Sequence, residues 1–340
     1  MKPAILMENI TIAARKVDAY LSDLITSEEQ IENLHEGVLY ALGLDSDDIS
    51  FRGKRLRPAL GMIVCEALGG KQEDVLPFAS AIEIFHNFTL VHDDIEDGDN
   101  QRRNRPCVYK KFGMPHGINI GDFMLVKVFR PLVNTAFKDY DPEITQQLLL
   151  LLLETLEHTH IGQALDMNAL ASDYISREDY FRLVTEKTGY CLAAPMNAAV
   201  IVTKSKKNIC DSLMKYAAAI GPLFQIRDDV IDLTEGKGRE IRGSDIKEGK
   251  RSFLAAHVSE KCSSSERKDL YSILNAPRDE TSDEDVKYVR SLFEKYGTFE
   301  AAASENERLM NLALQAVENT PEKVRNVLVS FAKMLEKRKK

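Results

Sequence analysis

Apolar positions in this chain recur at intervals of three and four over long stretches, which is the spacing of one face of an α-helix. Val324, Val327, Leu328, Phe331 and Leu335 fall on such a face behind Thr320-Pro321-Glu322, which reads as the start of a last amphipathic helix. Asp141-Pro142-Glu143 has the same form, an N-cap followed by a first-turn proline and a first-turn acid. It opens a helix expected to run through the six leucines Leu148–Leu153 to about Asp166 or beyond. Ser176-Arg177-Glu178-Asp179 resembles a capping box ahead of residues 180–184. Alternating runs rich in Val, Ile and Thr are scarce and no Asn-Gly turn occurs, so strands are not expected. The periodicity breaks at Gly69-Gly70, Gly98 to Pro106, Gly236 to Gly243 and Asn275 to Asp285. None of these is long or biased enough for an interdomain linker, and no 20–50-residue period repeats. The pattern predicts one all-α domain over residues 1–340, built from ten or more helices.

Composition narrows the class without changing that picture. The 340 residues are 44% hydrophobic and 29% charged, with no Trp, which is ample for a sizeable core and suits helices. The net charge is −8, and the cations are scattered, so no nucleic-acid partner is expected. Cys65, Cys107, Cys191, Cys210 and Cys262 lie far apart with no CxxC pair, as free thiols in a reducing compartment would. The N-terminal residues lack the apolar core of a secretory signal. The longest purely apolar run is six residues, far below the roughly 20 of a membrane span. A soluble, cytoplasmic protein is expected.

Two acidic clusters carry the chemistry. The first is Val91-His92-Asp93-Asp94-Ile95-Glu96-Asp97, behind the largely apolar stretch 82–90; the second is Asp228-Asp229-Val230-Ile231-Asp232, behind residues 221–226. Both read D-D-x-x-D, so on a helix the first and last carboxylates share a face. Like charges at that spacing destabilise a helix, and beside apolar residues unpaired carboxylates cost more, so a compensating cation is required. Hard oxygen ligands suit Mg²⁺, which prefers one or two carboxylates plus substrate phosphates to an all-protein cage. One such cluster alone reads equally well as a solvated acidic turn; two, each ending an apolar helical stretch, do not. A calcium loop centred on Gly98 fails, because Ile95 and Asn104 would occupy ligand positions.

Basic groups lie at suggestive places. Gly53-Lys54-Arg55-Leu56-Arg57-Pro58 holds three cations in four residues, and Lys54 and Arg57 are spaced to share a helix face. Arg102-Arg103 follows the first cluster closely enough for a loop to fold back on it, and Lys187-Thr188 and Lys250-Arg251 stand farther on. Singly, each is what a solvated surface pair looks like. Together with two carboxylate clusters they supply what diphosphate recognition needs. No P-loop or G-x-G-x-x-G element is present, which argues against a nucleotide. His86 lies about two turns before Asp93 on a similar face, where an imidazole is either in reach of a diphosphate or plain packing; His92 is either a metal ligand or a packed, hydrogen-bonded side chain.

In their order and spacing these elements resemble the trans-isoprenyl diphosphate synthases, including farnesyl and geranylgeranyl diphosphate synthases. The resemblance runs from about Gly53 to Ser252: GKRLRP at 53–58, FHNFTLVHDDIED at 85–97, RR at 102–103, GINIGD at 117–122, GQALD at 162–166, KT at 187–188, FQIRDDVID at 224–232 and GSDIKEGKRS at 243–252. It implies an isoprenoid-synthase fold of helices around a central cavity, usually a homodimer, that condenses isopentenyl diphosphate with allylic diphosphates. It further implies that Asp93, Asp94, Asp97, Asp228, Asp229 and Asp232 hold three Mg²⁺ ions on the allylic diphosphate. Arg102, Lys187, Thr188, Gln225 and Lys250 would surround that group, with Lys187, Thr188 and Gln225 also steadying the carbocation. Lys54, Arg57, His86 and Arg103 would bind isopentenyl diphosphate. Departures are Arg52 for the first of two glycines, Asn104 for the glycine after the double arginine, and no clean Gly-Lys element after the second motif, where Gly236-Lys237 or Gly238-Arg239 stands.

Phe88 stands five residues before Asp93, about 7.5 Å down a helix, and Phe85 about 12 Å down. A bulky side chain at Phe88 is placed to form the floor under a growing prenyl tail, while Phe85 reads as plain core. By the resemblance, an aromatic there with no insertion in the first motif points to a C20 product, with C15 as the alternative. Two rivals are a terpene cyclase, which usually carries an Asn/Ser/Glu triad for the second motif, and a non-catalytic subunit, which would have lost metal ligands. Neither departure is found here.

Overall fold

The computed structural model describes residues 1–136, 141–234 and 243–336. These residues are overwhelmingly helical, as the patterning predicts. The expected helix starts are found at Pro142–Leu170, Arg177–Val184 and Glu322–Glu336. Asp141 Oδ1 accepts from the Ile144 amide at 2.9 Å. Ser176 Oγ accepts from the Asp179 amide at 3.0 Å, and Asp179 Oδ2 accepts from the Ser176 amide at 3.2 Å. Val324, Val327, Leu328, Phe331 and Leu335 are all buried. All five cysteines are free. Among the described residues, no helix is long and apolar enough to cross a membrane.

Three expectations are corrected. The stretch from Gly98 to Pro106 contains a hairpin, in which Gln101–Arg102 pairs antiparallel with Arg105–Pro106. Its turn residues Arg103 and Asn104 have φ of 52° and 61°, the left-handed pair that right-twisted hairpins favour. Strands of two residues are too short for alternation to register. Asn104 occupies the position where the resemblance has glycine because Asn tolerates the left-handed region.

Lys54 and Arg57 do not share a helix face. The helix Leu56–Ala67 begins after Lys54, with Gly53 at φ 72° and Arg55 at φ 46°. A start at Gly53 would push Pro58 past the first turn, where its ring collides with the carbonyl four residues back. Within Asn275 to Asp285, a helix already starts at Asp283, capped by Ser282.

By internal packing the chain falls into two compact units. The first comprises residues 1–156, 191–211 and 320–330. At its centre the helix Gln72–Glu96 packs against Pro3–Thr26, Leu56–Ala67 and Met114–Lys127. Phe78, Ala79, Ala81, Ile82, Ile84 and Phe85 are buried all around it. Over this middle stretch the helix has no solvated face, so a polar residue there needs a protein or ligand partner. The second unit comprises residues 157–190, 212–319 and 331–340. There the helix Phe253–Lys261 packs against Arg177–Val184, Asp283–Lys295 and Thr298–Ala316. Arg177–Val184 runs on into a five-residue π-turn, Thr185–Gly189.

Candidate active site

The first motif ends the central helix of the first unit, with Asp97 at its C-cap. Asp94 is buried, Asp93 half-buried and Asp97 exposed. The hairpin folds back as expected and brings Arg102 onto the carboxylates. Its Nε donates to Asp94 Oδ1 at 2.6 Å, and its Nη2 lies 3.6 Å from Asp93 Oδ2. Burial works against the Arg102 charge, but Asp94 and Asp93 together hold its pKa above the ordinary value. Burial pushes the Asp94 carboxyl up, and Arg102 partly offsets this.

A buried polar chain lies behind the same helix. Glu83 Oε1 accepts from Arg55 Nη1 at 2.7 Å and from Asn87 Nδ2 at 2.9 Å. Asn87 Oδ1 in turn accepts from Arg103 Nη2 at 3.4 Å, while Arg103 Nη1 donates to the Phe51 carbonyl at 2.9 Å. Burial lowers the Arg103 pKa to about 10, with Glu83 opposing, so the guanidinium stays charged near neutrality. Gly53 permits this approach, since a Cβ there would meet Arg103 Nη2 at 2.9 Å.

Arg57 Nη1 lies 3.1 Å from His86 Nε2. Arginine only donates, so Nε2 must accept and the proton sits on Nδ1. Burial, then Arg57, Arg103 and Arg102, hold His86 far below the usual histidine range, and the ring is neutral. Lys54 lies just ahead of this group and is exposed. His92 packs edge-on to Phe88 with centroids 4.8 Å apart, and its Nε2 is 3.6 Å from Asp122 Oδ1, as a packed side chain rather than a member of the acidic cluster. Phe88 and Phe85 are both buried, with ring centroids 5.8 Å apart.

In the second unit, Asp228, Asp229 and Asp232 lie on the helix Asn208–Thr234. Asp229, buried, accepts from Gln225 Nε2 at 2.9 Å, from the Tyr180 hydroxyl at 3.3 Å and from the Phe253 amide at 3.3 Å. Burial, then Asp229, raise the Tyr180 pKa well above its usual value, so the phenol stays protonated and donates. Asp232 is fully buried and accepts from Ser244 Oγ at 2.7 Å and the Asp245 amide at 3.1 Å. Lys250 Nζ lies 2.9 Å from Asp245 and 2.8 Å from Glu248. Burial opposes its charge, but the two carboxylates hold its pKa above the ordinary lysine value. Lys187 Nζ donates to Asp166 Oδ2 at 2.8 Å, and Thr188 shares its π-turn.

These carboxylate oxygens at i, i+1 and i+4 are hard donors, and they fit magnesium better than any softer ion. Among the described residues, no three His, Cys, Asp or Glu side chains close into a preformed metal cage.

A model of the polyprenyl synthetase family matches residues 46–293. The chain belongs to the polyprenyl synthetase family. Among its relatives, the short chain isoprenyl diphosphate synthase of Methanothermobacter thermautotrophicus is 32% identical over 80% of this chain and 83% of that one. The geranylgeranyl diphosphate synthase of Saccharolobus solfataricus is 31% identical over 79% of this chain and 80% of its own length. The solved geranylgeranyl pyrophosphate synthetase of Pyrococcus horikoshii superposes with a TM-score of 0.87 at 28% identity, covering 98% of this chain and 99% of that one. The fold is therefore the all-α isoprenoid-synthase fold, and the chain is a prenyltransferase.

Within each unit some residues of the polyprenyl synthetase motifs are neighbours. Arg102 meets Asp93 and Asp94; Arg57, His86 and Arg103 lie together; Gln225 meets Asp229. Glu83 and Tyr180 carried no chemical reading in the sequence, while Arg55, Asn87, Asp166, Ser244, Asp245 and Glu248 stand inside the quoted motifs without an assigned role. Glu83 and Asn87 were open to detection as two polar residues one turn apart inside an otherwise apolar helical run. Gly236-Lys237 and Gly238-Arg239 lie outside the described residues.

Proposed function

We propose that this prenyltransferase condenses isopentenyl diphosphate with allylic diphosphates to make geranylgeranyl diphosphate, the C20 product. The observation that carries the substrate class is the family membership over residues 46–293, joined to two intact D-D-x-x-D motifs each set on a helix end or helix among cations. The chain length is supported by the relatives named geranylgeranyl diphosphate synthase and by buried Phe88 below Asp93.

In this proposal Asp93, Asp94, Asp97, Asp228, Asp229 and Asp232 serve three magnesium ions on the allylic diphosphate. Asp94, Asp229 and Asp232, already bonded within the protein, would orient the ligand set. Magnesium there would neutralise charge growing on the leaving diphosphate. Arg102, Lys187 and Lys250 add fixed positive charge from the protein, each held in place by a carboxylate. Lys54, Arg57, His86 and Arg103 receive isopentenyl diphosphate, with neutral His86 offering its Nδ1 proton. Gln225 commits its amide nitrogen to Asp229, so its carbonyl oxygen is the end that faces an allylic cation, together with the Thr188 hydroxyl. The condensation product then loses a proton to the released diphosphate.

A homodimer is proposed as well, supported by the exposed apolar side chains Ile118, Val126, Val133, Leu150 and Leu153. Light scattering at the 38.3 kDa monomer mass would contradict it. The reaction is tested by offering labelled isopentenyl diphosphate with C5, C10 or C15 allylic partners and separating the hydrolysed products. C20 alcohol should dominate. A cyclic product would favour the cyclase, and no elongation of any partner would overturn the proposal.

A further inference from the structure

The helix Pro142–Leu170 turns three residues at four-residue spacing towards the π-turn Thr185–Gly189: His158, Gly162 and Asp166. Asp166 takes the Lys187 ammonium at 2.8 Å. Gly162 lies so close that a Cβ there would meet the Lys187 amide nitrogen at 2.3 Å, so only glycine fits. His158 makes two contacts of its own. Its Nδ1 is 2.6 Å from Glu186 Oε2, and its ring stacks on Tyr190 with centroids 3.6 Å and planes 7° apart.

A π-turn is a rare, poorly bonded variant of the helix and persists where the surroundings hold it. Tyr190 is the residue whose amide closes this one, donating to the Thr185 carbonyl. His158 thus grips the turn at two points, Glu186 inside it and Tyr190 at its closure, on either side of Lys187 and Thr188. We infer that His158, through Glu186 and Tyr190, is a positioning residue that sets the angle at which Lys187 and Thr188 address the allylic group. The inference rests on the proposed roles of Lys187 and Thr188. Misplacing a reacting group by about 1 Å costs up to roughly a hundredfold in rate, so a two-point grip on a soft turn has a catalytic consequence.

The test separates the bond from the stack. His158→Phe keeps an aromatic ring against Tyr190 and removes the bond to Glu186; His158→Asn keeps a donor and removes the ring; Glu186→Gln weakens the bond from the other side. For His158→Phe, kcat should fall roughly tenfold with the KM for isopentenyl diphosphate unchanged. Glu186→Gln should fall less, and the double variant should be no worse than His158→Phe alone. Wild-type kcat in both single variants, or losses that multiply in the double, would overturn the inference. If His158→Phe does not fold, His158→Asn and Glu186→Gln carry the same comparison. Lys187→Ala is the separating control. A wild-type rate there would remove the assigned role of Lys187, whereas a slow Lys187→Ala beside a fast His158→Phe would remove only the role of His158.

Discussion

Truncating Glu83 to Ala tests the polar chain behind the first motif. Glu83 is 3% exposed and bonds Arg55 at 2.7 Å and Asn87 at 2.9 Å. Removing one partner of a buried ion pair costs about 3–5 kcal/mol, because the other charge is stranded. Arg55 keeps Asp18 at 2.9 Å and the Leu42 carbonyl at 2.5 Å, so the lower end, about 3 kcal/mol, applies here. At about 2–4 °C per kcal/mol for chains of a few hundred residues, the melting temperature should drop by about 6–12 °C. The damage should also reach the substrate pocket. Asn87 loses its bond to the Glu83 carboxylate and keeps only the Glu83 backbone carbonyl at 2.8 Å, so the amide that Arg103 bonds at 3.4 Å is less firmly held and the KM for isopentenyl diphosphate should rise. Thermal melting and steady-state kinetics on wild type, Glu83→Ala and Glu83→Gln read both effects. The amide, which keeps an oxygen for Asn87, should fall between the other two. A Glu83→Ala protein that melts within a degree of wild type, or keeps its KM, would refute the reasoning.

Phe88→Ala opens space about 7.5 Å below Asp93 and should shift products beyond C20; an unchanged distribution on chromatography would remove the floor role. His86 is held neutral in the fold but titrates near about 6.5 when unfolded, so the unfolded chain binds the extra proton and stability falls as pH drops below about 6.5. His86→Gln should flatten that slope in urea midpoints measured between about pH 5 and 6.5, and an identical slope would mean the folded imidazole is charged. Arg105 pins the hairpin, with a bidentate bond to Asp45 at 2.7 and 3.0 Å and its guanidinium 3.4 Å over the Tyr40 ring. Arg105→Ala should cost about 1–2 kcal/mol of that anchorage and raise the KM for isopentenyl diphosphate roughly tenfold; a KM at the wild-type value would show that the hairpin holds without it.

Much of the fold was legible because helix signals are local. The caps at Asp141, Ser176 and Thr320-Pro321-Glu322 act over one turn, and the apolar face from Val324 to Leu335 needs no distant partner to be recognised. The hairpin at residues 101–106 was not legible, since its two-residue strands carry no period and its turn is Arg-Asn. The start of the helix at Leu56 was not legible in the spacing of Lys54 and Arg57, because the ring of Pro58 decides the boundary. In the site, D-D-x-x-D and the double arginine announced themselves through dense like charge, which has few structural uses. Glu83 did not, and Asn87, Asp166 and Asp245 drew no role of their own although they stand inside the quoted motifs, because a carboxylate or amide looks like any surface residue until its partner is known. The π-turn at 185–189 was equally silent as a shape: the KT motif marks its chemistry, but Gly162 and His158, which contact it, lie on another helix.

The most direct measurement is incorporation of labelled isopentenyl diphosphate into allylic products, with Mg²⁺ and with the metal chelated, for wild type, Asp93→Ala and Asp228→Ala. Wild type should elongate only with metal, recover when Mg²⁺ is restored, and lose at least roughly a hundredfold in rate with either substitution. Elongation that continues in chelator, or that runs at the wild-type rate in either variant, would contradict a metal-dependent mechanism built on the two aspartate motifs.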